Sequence, residues 1–184
     1  MKDYRRRDPL FSLCGLNCAL CPMHLSAYCP GCGGGEGHQS CAFIRCSRQR
    51  GGEEFCSRCP SFPCERFQEA MAYDSFISHR HMQRDLERAA RMGSEAYRAE
   101  LQEKRAILRR LLAQYNDGRR KSFYCTAVNL LTLSDLQSVM KQLDGASFMD
   151  MPLKERATVA VQLLNNLAEE RQIDCRLKKK PKKS

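Results

Sequence analysis

The chain has 184 residues, 42 % of them hydrophobic, with twelve cysteines and a formal net charge of +10. That apolar content supports a core and excludes a wholly disordered chain, while the length allows one ordinary domain or a small module plus a second one. The charge does not point to a nucleic-acid-wrapping surface, because +6 of it lies in the last nine residues, Arg176 to Ser184, whereas such a surface needs a basic stripe on the folded part.

Residues 1–13 form a basic N-terminal segment. Arg5, Arg6 and Arg7 precede the apolar stretch Leu10 to Leu13, but that stretch ends at Cys14-Gly15. It is too short for the apolar region of a signal peptide, and no stretch reaches the length of a membrane-spanning helix. The expectation is a cytoplasmic protein that makes no use of a membrane.

Residues 14–64 hold ten of the twelve cysteines and eight of the eleven glycines. So few apolar side chains predict a segment that needs a staple, either metal or disulfide. Disulfides belong to exported chains, and no export signal is visible, so metal is expected. The cysteines are Cys14, Cys18, Cys21, Cys29, Cys32, Cys41, Cys46, Cys56, Cys59 and Cys64. Three pairs, Cys18/Cys21, Cys29/Cys32 and Cys56/Cys59, have the C-x-x-C spacing with which a tight turn aims two sulfurs at one ion. Zinc takes four such ligands in a tetrahedron. The predicted fold here is a small, irregular, metal-stabilised module of zinc-knuckle or ribbon type holding two zinc ions or more. Cys29, Cys32, Cys41 and Cys46 are expected to form a local site across the glycine-rich loop. Cys14, Cys18 and Cys21 would then meet Cys56, Cys59 and Cys64. His24 and His38 are within reach as further ligands. Iron–sulfur is the alternative, since Cys14-x3-Cys18-x2-Cys21 has the spacing of a radical-type [4Fe–4S] site and Cys-Pro also ends ferredoxin ligand runs.

Residues 65–175 read as an all-α region. Ser94 opens a helix with Tyr97, Leu101, Leu108, Leu112 and Tyr115 at turn spacing, stopped by Asn116-Asp117-Gly118. Phe123 to Leu133 is a further apolar run that predicts a helix. Thr132 or Ser134 starts the next, with Leu136, Val139, Met140 and Leu143 on one face. Asp150 and Pro152 open the last, striped by Leu153, Ala157, Ala160, Leu164 and Leu167. Arg119, Arg120, Lys121 and Ser122 lie at a helix start, where unpaired peptide N–H groups favour anions, which makes them a candidate anion-binding site. His79 and His81 are expected on a helix surface, and Cys125 and Cys175 as isolated thiols. Residues 176–184 predict a disordered lysine-rich tail.

Cys14-Gly15-Leu16-Asn17-Cys18-Ala19-Leu20-Cys21-Pro22, Cys29-Pro30-Gly31-Cys32, Cys56-x-x-Cys59 and Phe62-Pro63-Cys64-Glu65 resemble a cysteine-rich domain-of-unknown-function family of bacteria and archaea. The likeness covers residues 14 to about 70 and extends through Asn116-Asp117-Gly118-Arg119-Arg120-Lys121-Ser122-Phe123-Tyr124-Cys125, as in longer members. It implies zinc binding in a prokaryotic cytoplasm and supplies no established activity. No nucleophile–base set stands out. The expected function is therefore a metal-binding interaction or regulatory module whose partner is another protein, with weak nucleic-acid or anion contact through the basic residues. An iron–sulfur redox or radical-type enzyme is the alternative.

Overall fold

A computed structural model describes residues 3–37, 40–145 and 150–181. Among them are eight helices, two 3-10 turns (Cys18–Leu20 and Cys56–Arg58) and no strand; a lone antiparallel bridge joins Arg5 to Gly34. The helices are α1 (Pro22–Leu25), α2 (Ala42–Gln49), α3 (Glu65–Met71), α4 (Met82–Met92), α5 (Ser94–Gln114), α6 (Lys121–Leu130), α7 (Leu133–Leu143) and α8 (Leu153–Glu170). The chain divides into one unit of residues 1–99 with 177–184 and a second of residues 100–176, whereas the break in composition lies at Cys64-Glu65.

The expected small, irregular zinc-knuckle or ribbon-like module is not what the first unit contains. Residues 14–64 carry α1, α2 and both 3-10 turns, and among the described residues no three His, Cys, Asp or Glu side chains are grouped to hold an ion. The physical reason lies in sequence-distant partners. Leu13 and Ile44 are fully buried together with Cys32, and Tyr4, Cys18, Phe43 and Cys56 pack against them. Phe43 meets Phe67 of α3 edge-on at 6.0 Å, Phe62 meets it at 4.8 Å, and Phe11 stacks on Tyr97 at 4.5 Å. The cysteine segment thus shares a core with α3, α4 and the start of α5, and apolar burial supplies the staple that composition alone denied it.

Tight joints fix this core. Gly15 has φ +89°, and a Cβ there would run into Met82 O and Leu86 Cγ of α4, so only glycine fits between the first cysteine loop and that helix. Next to it, buried Asn17 donates to Asp85 Oδ2 at 2.9 Å and accepts from Tyr97 Oη at 3.0 Å. Arg6 of the basic N-terminal segment is buried. Its Nη1 donates to Phe11 O at 2.6 Å, its Nη2 reaches Glu54 O at 3.0 Å and Glu54 Oε1 at 2.9 Å, and its guanidinium lies 5.1 Å from the Phe55 ring centroid. His79 and His81 are half-buried in the stretch leading into α4 and are not on a helix face; His79 bridges Ser75 Oγ at 2.7 Å and Ala70 O at 2.8 Å.

The second unit is built as its periodicity requires. Leu101, Leu108 and Leu111 of α5 and Tyr115 just after it are buried, with Leu111 taking the place the stripe assigned to Leu112. α7 begins at Thr132, whose Oγ1 accepts from the Asp135 N–H at 3.2 Å while Asp135 Oδ2 accepts from the Thr132 N–H at 3.4 Å, a reciprocal cap. α8 packs against α6 and α7 through Ala157, Ala160, Leu164 and Ala168, while Leu153 is exposed. Tyr124 Oη donates to Tyr115 O at 2.6 Å and Tyr115 Oη to Leu143 O at 3.2 Å, so both buried phenols are satisfied. Cys125 is fully buried beside them.

The segment after Arg176 does not hang clear of the first unit over its described length. Lys178 N–H donates to Asp74 Oδ2 and Lys178 O accepts from Asp74 N–H, each at 2.8 Å, and Lys178 Nζ lies 5.5 Å from the Tyr73 ring centroid. Residues 182–184, with the end of the lysine run, lie outside the described residues, as does His38.

Candidate functional site

Helix geometry sorts the cysteines. Cys41 is the N-cap of α2 and Cys46 lies five positions on. Cys41 has extended backbone ahead of the helix and neighbours Cys14 and Cys32, whereas Cys46 lies inside the helix and neighbours Cys56. The expected local site of Cys29, Cys32, Cys41 and Cys46 is therefore not assembled.

Cys46 instead lines a cavity with Cys56, Cys59 and Cys64, backed by Leu13, Phe43, Phe62 and Phe67. Cys56 and Cys59 flank a 3-10 turn closed by Cys59 N–H to Cys56 O at 3.0 Å, and Cys64 is the N-cap of α3. Cys56 N–H donates to Leu13 O at 2.8 Å, tying this turn to the first cysteine loop. Arg50 Nη1 lies 3.8 Å from Cys59 Sγ and 3.1 Å from Ser61 Oγ, placing a cation at the cavity. Burial pushes the Cys56 thiol far up, and its neighbours Cys14, Cys64, Cys46 and Cys59 push in the same direction.

A second neighbourhood gathers Cys14, Cys18, Cys32 and Cys41. Burial raises the Cys14 thiol to about 12, against a hydrogen bond with Ser12 Oγ at 3.2 Å, and Cys32 and Cys41 raise it further. Cys18 is raised well above its ordinary value by burial and then by Cys32, Cys14 and Cys21. Cys32 is raised by burial, while the Arg6 cation and the Leu13 N–H act the other way. Cys14 borders both neighbourhoods. Cys21 and Cys29 stand as a third, smaller group: burial raises Cys21, the N–H groups of Met23 and His24 lower it, and Cys29 is the thiol beside it. His24 turns its Nδ1 to Cys29 O at 3.0 Å.

For zinc, ligand type and number fit: two groups of four thiols, one of them around a single cavity and built on a C-x-x-C turn. Convergence in space is not present among the described residues, where no three donors form an ion-holding group. For the iron–sulfur triad, Cys18 neighbours both Cys14 and Cys21, but among the described residues the three form no ion-holding group.

At the candidate anion site, Arg119 and Arg120 donate their N–H groups to Asp117 Oδ1 and Asn116 Oδ1 at 3.0 and 3.1 Å, and Arg120 Nε lies 3.4 Å from Asp117 Oδ2. Ser122 O accepts from Thr126 Oγ1 at 3.0 Å inside α6. The turn thus consumes N–H groups and balances charge that an anion would use. Lys121 begins the helix. Sequence reasoning passed over Arg6, Arg50 and Ser12 because nothing local marks a cation or hydroxyl as a neighbour of a distant sulfur. No helix is long and apolar enough to cross a membrane among the described residues. Compared with protein-family models, with curated proteins and with solved structures, the chain gives no match.

Proposed function

We propose that this chain is a thiol-based metal-binding protein that takes up zinc and serves, in its loaded form, as an interaction or regulatory module for another protein. The observation that carries the reading is the single cavity lined by Cys46, Cys56, Cys59 and Cys64. Leu13, Phe43 and Phe67 give it an apolar wall, with Arg50, Glu53 and Arg66 also lining it, and its four sulfurs match the number of ligands zinc takes. Cys14, Cys18, Cys32 and Cys41 offer a second set of the same composition. Zinc bound to four thiolates is a closed centre with no open position for a substrate, which is why the reading is of a module and not of a catalyst.

Metal analysis of the full chain purified without air tests this directly. Zinc near two atoms per chain is expected, falling by about one atom when Cys56 and Cys59 are both replaced by serine. Near-stoichiometric iron and sulfide with visible absorbance would replace zinc by iron–sulfur, and a chain that retains no metal would overturn the reading.

A further inference from the structure

Cys21 and Cys29, outside the two sets of four, share a local architecture of their own, with Cys18 as a further neighbour of Cys21. Cys21 caps α1, and the chain then turns back on that helix through Ala27 at φ +59°. The N–H groups of Tyr28 and Cys29 both donate to Met23 O, at 3.0 and 3.2 Å, and the His24 ring reaches Cys29 O at 3.0 Å. This double anchoring returns Cys29 to the side of Cys21, eight positions earlier in the sequence, in a loop too short to carry it elsewhere. Cys14 and Cys32 are buried, whereas Cys21 and Cys29, like the other six cysteines of the segment, are half-buried, and the intervening Tyr28 stands 74 % exposed.

We propose that Cys21 and Cys29 form a reversible dithiol–disulfide pair oxidised by low-molecular-weight disulfides. The thiolate of one cysteine attacks a sulfur of the small disulfide, whose S–S bond breaks and releases one thiolate, leaving a protein mixed disulfide. The second cysteine's thiolate attacks the protein sulfur of that bond, releasing the second small thiolate. The two protons lost by the protein thiols are taken up by the two released thiolates. Two protein thiols are oxidised, and one small disulfide is reduced to two thiols. The pair uses no member of either four-cysteine set, although Cys18 of the second set neighbours Cys21.

The test treats the full chain, zinc-loaded where it binds zinc, with glutathione disulfide, then alkylates the remaining thiols, maps the peptides and measures zinc in parallel. Expected are a Cys21–Cys29 disulfide, two glutathiones released per chain, unchanged zinc, and a Cys29→Ser variant in which Cys21 carries one glutathione. The proposal is overturned if both cysteines are recovered as thiols. It is equally overturned if either is joined to Cys18 or Cys32, or if they resist alkylation until a chelator is added. A chain that forms the disulfide yet holds no zinc sinks only the metal reading.

Discussion

Cys14 shows how one buried thiol sets a response to pH. Its folded value of about 12 exceeds its ordinary 9.0, chiefly through burial. A group raised in the folded state contributes stability that is complete below the unfolded value and is lost as pH climbs toward the folded one. Metal-free protein should therefore lose stability between about pH 9 and pH 12 in urea titrations, and Cys14→Ala should flatten that slope; an unchanged slope would show that Cys14 is not held neutral. Gly15, one position on, gives a sharper mutational test. Alanine there must adopt φ +89° and displace α4, which costs about 1–3 kcal/mol from backbone strain alone, measurable as a lowered denaturation midpoint. The ten cysteines were all legible from sequence. Their grouping was not, because it depends on joints across the chain: Cys56 N–H on Leu13 O, and Gly15 against Met82, 67 positions away.

Helices were legible in proportion to how far their own stripe explains their burial. α5, α7 and α8 begin where Ser94, Thr132 and Pro152 place them, since caps and periodicity are local signals. α2 escaped notice, lying among cysteines and ending where Gly52 N–H folds back to Ser47 O at 2.8 Å. The Thr132 cap makes a measurable claim: Thr132→Ala should cost about 1 kcal/mol. A second claim concerns Asp135 in the same box. Burial alone would raise its carboxyl, yet hydrogen bonds from Arg171 at 2.8 Å and from Thr132 outweigh burial and hold it below the usual range. A depressed carboxylate contributes above its unfolded pKa and fades as pH falls through the folded one. The parent should thus lose stability below about pH 4, and Asp135→Asn should remove that part of the acid limb.

On the scale of the molecule, the shared core changes what metal removal should do. Binding to the folded state alone adds stability by mass action, so stripping zinc with a chelator should lower the melting temperature. With Leu13, Ile44, Phe67, Met82 and Leu86 forming an apolar core, the far-ultraviolet helical signal should persist at 25 °C. Collapse of most of that signal on chelation would show that apolar packing is too weak to hold the first unit together.

Asp74 adds a consequence in time. Its N–H and carboxylate engage Lys178, 104 positions later, so a growing chain on the ribosome must make all of residues 100–176 before this clasp can close. At about 5–20 residues per second, the 104 positions from Asp74 to Lys178 take roughly 5–20 s, during which Asp74 is answered by Ser78, His79 and Arg80 nearby. The first unit to emerge is accordingly the last to be finished.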